Sequence, residues 1–324
     1  MMLKSKVKYL FFGATKYSKE LLLHLISHGF LPKAIFAIPE KFLIKYRKDG
    51  IVRRMQNYNY ANLKKIAQSY SIPYFEVDGS KGKKIEDYLE MIKSFSPDLI
   101  LVLGWYYLVP RKVREVAPLG AWGIHASLLP KYAGGAPLVW AIINGEKETG
   151  VTLFRFDDSV DGGDIIKQKK FPILFEDTIK DVYEKAINAS KEILIEVFAN
   201  LDRITFTPQD KSKIEIWAQR FPEDGEIDWN KGVIEVYNFI RAQTKPYPGA
   251  FTFLEKEKLI VWSAYPFKDV KVTTNLREIV SYLNKYGIQL RDGFLEIKEV
   301  EYKGQQKLFK NLVEAYSLLR KKIR

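Results

Sequence analysis

Up to about residue 204, short β-branched apolar runs alternate with segments whose apolar positions recur at helical spacing, the pattern of a parallel sheet wound with helices. The pattern predicts strands over residues 7–12, 34–38, 74–77, 99–103 and 121–124, then a hairpin from 151–156 and 165–171. Helices are expected between them over about 18–27, 60–70, 84–94 and 110–116. A longer helix over about 178–200 starts near Thr178 and carries Val182, Ala186, Ile193 and Val197 at helical spacing, so it packs along the sheet and closes the first domain. In such sheets ligands bind beyond the carboxyl ends of the strands, so the residues just after Leu103 and Ile124 are expected to meet there.

Beyond Ile204 the pattern changes to short strands over 252–254, 259–262, 288–291 and 294–300, with Asp292-Gly293 as a hairpin turn signal. A small β-barrel domain is expected there, giving a first domain over 1–204 and a second over 205–324. A chain of 324 residues is long enough for two cores, and no internal repeat or low-complexity linker separates them.

Composition changes this picture little. Apolar residues make up 47% and charged residues 28%, and no apolar run approaches the roughly 18 residues of a membrane span. The first residues lack the cleavage site of a signal peptide, so a cytoplasmic location is expected. The absence of cysteine removes disulfides, thiolate metal sites and cysteine nucleophiles, and three histidines leave little for a metal, so no metal is expected. The net charge of +13 fits a nucleic-acid partner, an anionic small substrate or plain solvation. Abundant Lys, Glu, Ile and Tyr is a bias also associated with thermophily.

Of the histidines, His24 and His28 share one predicted helix at i and i+4, with no third ligand near in sequence. His28 before Gly29 fits a helix C-terminus, so the pair reads as structural. His125 differs: it ends a buried-type strand and opens a turn-rich loop running to Pro137, where an α/β sheet presents functional groups. A core histidine that merely satisfies its own hydrogen bonds is the alternative. The segment 157–164 packs Asp157, Asp158, Asp161 and Asp164 with Gly162 and Gly163 between predicted strands, either as a solvated turn or as the source of a carboxylate that reaches His125. Such a carboxylate fixes the ring's tautomer and favours its charged form, as proton transfer near neutrality requires. Gly13-Ala14-Thr15 follows the first strand without the G-x-G-x-x-G fingerprint, which disfavours a nicotinamide enzyme.

The run His125-Ala126-Ser127-Leu128-Leu129-Pro130, continuing through Gly134-Gly135-Ala136-Pro137, Gly150-Val151-Thr152 and Asp161-Gly162-Gly163-Asp164, resembles the 10-formyltetrahydrofolate-dependent formyltransferase family, with its methionyl-tRNA and sugar N-formyltransferase branches. Segments 220–229 and 240–251 resemble that family's entry to its C-terminal domain. The resemblance implies an α/β fold, a Rossmann-like wound sheet of the formyltransferase type followed by a small OB-like barrel. It also implies 10-formyltetrahydrofolate as co-substrate. Gly104, Trp105, Tyr106, Tyr107, Leu108 and Val109 occupy the place where the family cradles the pterin, and Ser127, Leu128, Leu129, Pro130, Val160 and Gly162 complete the expected folate contacts. The alternative for the 104–109 turn is an aromatic lid on the core. By the same resemblance an amine attacks the formyl carbon, His125 moves the proton, and Asp161 holds the imidazole.

Two positions depart from the family pattern. Gly123 stands where an asparagine usually donates to the oxyanion, a kind of contact whose loss typically costs about 10²–10³ in turnover. Ala133 stands where an arginine is common. The acceptor expected is a nucleotide-linked amino sugar, a small anion suited to basic residues. Initiator methionyl-tRNA is the alternative, suggested by the basic stretch Lys41, Lys45, Arg47, Lys48, Arg53, Arg54 and by the terminal Arg320-Lys321-Lys322-Ile323-Arg324. Phe42, Leu43, Ile44, Tyr46, Ile51 and Val52 run through that stretch, which therefore reads as a packed or substrate-covering segment. A folate- or RNA-binding relative with weak catalysis is a third reading, motivated by Gly123. A homodimer is expected from resemblance, with Trp262, Tyr265, Phe267 and Phe294 either at its contact or in the second domain's own core.

Overall fold

The computed structural model describes residues 7–45, 52–56, 59–254 and 256–323. Two compact units emerge, one from the described residues of 1–133, 150–170 and 186–215, the other from those of 134–149, 171–185 and 216–324.

The first unit is built on a seven-stranded sheet. Its strands are β1 (Tyr9–Gly13), β2 (Ala34–Ala37), β5 (Tyr74–Glu76), β6 (Leu99–Leu103), β7 (Ala121–His125), β9 (Glu148–Arg155) and β10 (Ile165–Pro172). The spatial order is β10-β9-β7-β6-β1-β2-β5, parallel from β7 through β5 and antiparallel where β9 meets β7. Strands covered on both faces read as continuous apolar runs, and β1 and β6 are buried at every position. Residue Tyr9 meets Phe198 of α6 (Ile179–Ala199) edge to face at 5.2 Å, and the Tyr17 hydroxyl lies 2.7 Å from that of Ser190.

The carboxyl ends of β1 and β6 are locked together by the start of α1 (Lys16–Ser27). Thr15 and Ser18 cap it reciprocally: Thr15 Oγ1 accepts from Ser18 N and Ser18 Oγ from Thr15 N, at 3.1 and 3.0 Å. The buried Ser18 hydroxyl also donates to Leu103 O at 2.5 Å. A Cβ on Gly13 would stand 2.7 Å from the Ser18 Cβ, so the glycine of Gly13-Ala14-Thr15 serves this close approach.

The remaining helices are shorter than their periodicity suggests. Residues 60–70 contain only α2 (Leu63–Ser69), because Tyr60 bridges to Thr15 and Asn62 caps the helix. Residues 84–94 divide into a 3₁₀ turn, Ile85–Tyr88, and α3 (Leu89–Ser94), and α4 is a single turn (Arg111–Arg114). Between β2 and α2 the chain forms an antiparallel hairpin, β3 (Lys41–Lys45) and β4 (Val52–Gln56). Its Phe42 is buried against Ala14 and Ile38 and stacks near Tyr106 at 4.8 Å. Lys41, Lys45, Arg53 and Arg54 of the basic stretch thus lie on paired strands, while Tyr46, Arg47, Lys48 and Ile51, like Arg324, are outside the described residues.

In the second unit, Gly134 ends the two-residue β8 (Ala133–Gly134), and Gly135 N donates to Trp217 O of β11 (Ile216–Trp217) at 2.9 Å. Helix α5 (Pro137–Ile143) follows where the sequence reads as loop; its signals are Pro137 at the first turn and Ala136 at φ 49°. A six-stranded antiparallel sheet dominates: β12 (Ala250–Leu254), β13 (Glu257–Lys268), β14 (Ile279–Tyr282), β15 (Lys285–Leu290), β16 (Gly293–Tyr302) and β17 (Gln305–Leu308). Its order is β12-β13-β16-β15-β14, and β16 pairs with β15 through its first half and with β17 through its second. Helices α7 (Val233–Arg241) and α8 (Phe309–Ala315) close its apolar core and are additional to the expected strands.

Strand β13 is far longer than the expected 259–262, bending through an irregularity at Ser263 and continuing past Pro266. The β15–β16 turn sits one residue earlier than Asp292-Gly293, since Leu290 pairs with Gly293 and Arg291-Asp292 forms the loop. Gly293 opens β16 where a Cβ would lie 2.5 Å from Phe267 O. Phe294 is fully buried, with Phe267 at 6.0 Å and Tyr265 in turn 5.4 Å from Phe267. No described helix is long and apolar enough to cross a membrane.

Candidate active site

His125 is the last residue of β7, beside the carboxyl end of its parallel neighbour β6. Its Nε2 lies 2.7 Å from the main-chain oxygen of Tyr132 and its Nδ1 lies 3.6 Å from Asp161 Oδ2. A carbonyl only accepts, so the ring carries its hydrogen on Nε2 and, when neutral, turns the Nδ1 lone pair toward the carboxylate. Both partners are held in left-handed backbone, Tyr132 at φ 56° and Asp161 at φ 51°. Such geometry is uncommon outside glycine and persists where neighbouring structure enforces it.

Enforcement on the Tyr132 side comes from the loop closing on itself. Ser127 Oγ donates to Lys131 O at 2.6 Å, and Ser127 is fully buried. Thr152, opposite His125 in the β7–β9 register, is also fully buried. Its Oγ1 donates to Ser127 O at 2.7 Å and accepts from Leu129 N at 3.1 Å. Gln168 Nε2 adds bonds to Leu129 O at 2.8 Å and Thr152 Oγ1 at 2.9 Å. Leu128 lies over Gly150, where a Cβ would approach Leu128 Cδ2 and Lys169 O to 2.5 Å. Ser127 and Leu129 are thus spent on the loop's own packing, whereas Leu128 and Pro130 remain half-buried.

On the other side, the four aspartates of 157–164 divide by partner. Asp158 pairs with Arg114 and Asp164 with Arg155. Burial opposes ionisation of Asp157, but hydrogen bonds from Ser159 and the Lys211 ammonium at 3.0 Å hold its carboxyl below the usual range. Asp161 is the member of the four that faces His125. Gly162 and Gly163 are buried, and a Cβ on Gly163 would overlap Arg155 O at 1.7 Å, so the chain crosses itself there. Val160 is half-buried beside them.

The 104–109 turn leaves β6 with Gly104 at φ 62°, where a Cβ would collide with Thr15 Oγ1 at 2.1 Å. Trp105 and Tyr107 lean on the core, with Phe12 and Trp105 rings 5.3 Å apart, and Val109 is buried. Tyr106 and Leu108 are exposed, Leu108 at 82%. The Trp105 indole N–H is buried without a hydrogen-bond partner among the described residues.

Gly123, two residues before His125, has its side-chain space filled: a Cβ would lie 2.3 Å from Phe156 Cε1. Phe156 packs with Phe154 at 5.1 Å and joins the cluster that Trp105 and Tyr107 cover. His24 and His28 lie elsewhere, at the end of α1, with rings 4.4 Å apart and His28 Nδ1 2.8 Å from His24 O. Partial burial and the neighbouring His28 and Lys191 lower the His24 pKa. Among the described residues, no three His, Asp or Glu side chains are placed to hold a metal ion.

Sequence reasoning missed Tyr132, Phe156, Gln168 and the buried Gln209, and quoted Thr152 without a role. Tyr132 acts through its main chain, which no side-chain pattern reports. The Phe154/Phe156 spacing of two puts both rings on one face of the expected 151–156 strand, and was the available signal.

The Formyl transferase family matches residues 45–198, and its Formyl transferase, C-terminal domain matches residues 220–313. Among curated proteins, a methionyl-tRNA formyltransferase of Azobacteroides pseudotrichonymphae genomovar. CFP2 is 31% identical over 95% of both chains. The bifunctional polymyxin resistance protein ArnA of Wigglesworthia glossinidia brevipalpis is 34% identical over 81% of this chain, which spans 40% of that larger protein. Among solved structures, a Helicobacter canadensis N-formyltransferase complexed with folinic acid and dTDP-3-aminofucose superposes with TM-score 0.63 at 21% identity, covering 90% of this chain and 98% of that one. The sugar 3N-formyl transferase WlaRD, solved with dTDP and 5-N-formyl-THF, gives 0.62 at 19% identity, covering 92% of this chain and 98% of that one. At these identities the structural likeness is one of fold.

Proposed function

Because the chain belongs to the formyl transferase family, we propose that it transfers a formyl group from 10-formyltetrahydrofolate to a primary amine, with His125 moving the proton and Asp161 beside it. The observation that carries this reading is the pair of contacts on one imidazole: Nε2 on the Tyr132 carbonyl, Nδ1 3.6 Å from Asp161. An attacking amine must lose a proton as its bond to the formyl carbon forms, and the departing nitrogen must gain one. Nδ1 is the ring atom free for both transfers, a role worth about 10²–10⁴ in rate. Asp161 stabilises the imidazolium between them, and Tyr132 keeps the ring from turning.

10-Formyltetrahydrofolate supplies the one-carbon group as co-substrate. The residues fit it: the buried Trp105 N–H offers an unused donor, and Gly104 carries main chain rather than side chain into the turn. In this reading Gly104, Trp105, Tyr106, Tyr107, Leu108 and Val109 hold the pterin, with Leu128, Pro130, Val160 and Gly162 along the rest of the molecule. Ser127 and Leu129 shape the loop. The folate ligands of the two sugar N-formyltransferase structures support this assignment.

The acceptor proposed is a nucleotide-linked amino sugar in the cytoplasm. It is supported by the folded hairpin anchored through Phe42 and by the ligands of the sugar-modifying neighbours. Initiator methionyl-tRNA is the second reading, favoured by the tRNA-modifying relative that matches along 95% of both chains.

The test incubates the protein with 10-formyltetrahydrofolate and a panel of nucleotide-linked amino sugars beside charged initiator tRNA, following tetrahydrofolate release and product mass. A sugar nucleotide heavier by one formyl group is the expected result. Product from tRNA alone moves the acceptor to the second reading. Folate binding without product from either would overturn the catalytic reading and leave a folate-binding relative.

A further inference from the structure

Gln209 lies in the stretch between the two family matches, which end at 198 and resume at 220. It is nonetheless part of the first unit and 9% exposed. Its Nε2 donates to Asp161 O at 2.8 Å and Gly163 O at 2.7 Å. Two main-chain acceptors on one nitrogen fix the amide's orientation, since turning it over would set oxygen against oxygen. Around Gln209 the 207–214 segment forms a strap across the aspartate loop. Thr207 exchanges both main-chain bonds with Ile165 at 2.8 Å, Lys211 reaches Asp157 at 3.0 Å, and Ile214 Cδ1 sits 2.9 Å from the Cβ position of Gly162.

The carboxylate of Asp161 stands 3.6 Å from His125 on a backbone held left-handed at φ 51°. Aspartate tolerates that region better than most residues, but in an unrestrained turn the right-handed and extended regions are lower in energy. The two bonds from Gln209 span the turn that Asp161 opens, one on its own carbonyl and one on that of Gly163. We infer that Gln209 is a positioning residue, which holds the Asp161 backbone in its left-handed turn and so keeps the carboxylate against His125. The assignment rests on the proposed role of the His125–Asp161 pair and deepens it.

Gln209→Leu removes both donors at similar volume, and Gln209→Glu keeps the shape while setting an acceptor against two carbonyls. Each is expected to lower kcat about fivefold to tenfold, no more than Asp161→Asn itself, because misplacing the carboxylate cannot cost more than losing its charge, with KM for both substrates within about twofold. In a His125→Ala background, Gln209→Leu is expected to have no further effect, because residues acting as one unit are not additive. Turnover within twofold of wild type, a rise in KM alone, or a full additive loss in the His125→Ala background each overturns the assignment.

A readout without turnover separates this inference from the functional reading. With only three histidines, the ring ¹⁵N resonances of His125 can be assigned by comparison with His125→Ala. Gln209→Leu is expected to move them toward their positions in Asp161→Asn. Resonances that stay at wild-type positions overturn the positioning role even if no amine is ever formylated, and resonances that move support it in that same case.

Discussion

The Phe156 ring occupies the space that a side chain on Gly123 would need, with its Cε1 and Cζ atoms 2.3 and 2.5 Å from the Cβ position. An asparagine donor is therefore excluded here by packing as well as by sequence. Gly123→Asn alone is expected to destabilise the fold by about 1–3 kcal/mol, the range for overpacking, and to leave kcat no higher than wild type. Combined with Phe156→Ala, the asparagine gains room, and kcat is expected to exceed that of Phe156→Ala alone by at least about tenfold, toward the 10²–10³ of one oxyanion donor. Urea denaturation and steady-state kinetics on the three variants check both halves.

His125→Ala is expected to lower kcat by about 10²–10⁴, with KM for folate and amine changed less than about threefold. Asp161→Asn keeps the shape but loses the charge facing Nδ1, so a smaller fall of about tenfold is expected, in kcat rather than KM. Kinetics with a fixed acceptor decide the matter. Activity unchanged in His125→Ala would remove the imidazole from the mechanism.

The pair at the centre of the site was legible in the sequence for reasons that can be named. His125 ends an apolar run, which places it at the carboxyl end of its strand, whereas β9 runs antiparallel to β7, so the pairing with Asp161 was readable from the family motif and not from strand topology. The parallel strands were legible because burial on both faces writes continuous apolar runs, as in Leu99–Leu103. What escaped was whatever the main chain or a long-range contact decides. Tyr132 acts by its carbonyl, and Gln209 lies 48 residues from the carbonyl it holds. Gly123 read as a missing donor because the ring that fills its place lies just past the end of β9. Helix α5 and the full length of β13 were hidden by prolines, Pro137 starting a helix and Pro266 sitting inside a strand that tolerates it.

Thr152 ties Ser127 and Leu129 of the His125 loop to Gln168 of β10 through one hydroxyl. Thr152→Val preserves shape and leaves Ser127 O and Leu129 N without that partner, so a loss of about 1–3 kcal/mol is expected, the penalty for buried groups left unbonded. Because the Tyr132 carbonyl belongs to the same loop, kcat is expected to fall by more than the loss of folded protein explains. Denaturation midpoints and kcat per folded molecule, measured together, separate the two effects.

Trp105→Phe removes an indole N–H that has no partner among the described residues. The free protein is expected to be no less stable, since an unsatisfied buried donor is unfavourable. Folate affinity is expected to drop about fivefold to tenfold, the value of one net hydrogen bond near 1 kcal/mol. Calorimetric titration with tetrahydrofolate measures it, and unchanged affinity would place the pterin away from this turn.

Asp181 gives the second unit an acid-sensitive contact. At the start of α6 its Oδ2 accepts from Thr178 Oγ1 at 2.6 Å and Thr178 N at 2.8 Å. The Thr178 hydroxyl bond, above all, holds its carboxyl below the ordinary value. A carboxyl depressed in the folded state stabilises fully above its unfolded pKa of about 3.9, and that contribution disappears as pH falls through the lower folded value. At pH 7, Asp181→Ala is expected to be less stable than wild type by about 1 kcal/mol, a typical capping loss. Below pH 4 the gap is expected to narrow, because the wild-type carboxyl takes up the proton that weakens its own cap. Urea titrations of both proteins at pH 7, 5, 3.5 and 2.5 test this. A gap that stays constant to the lowest pH would mean that the ionised carboxylate is not what stabilises this end of the helix.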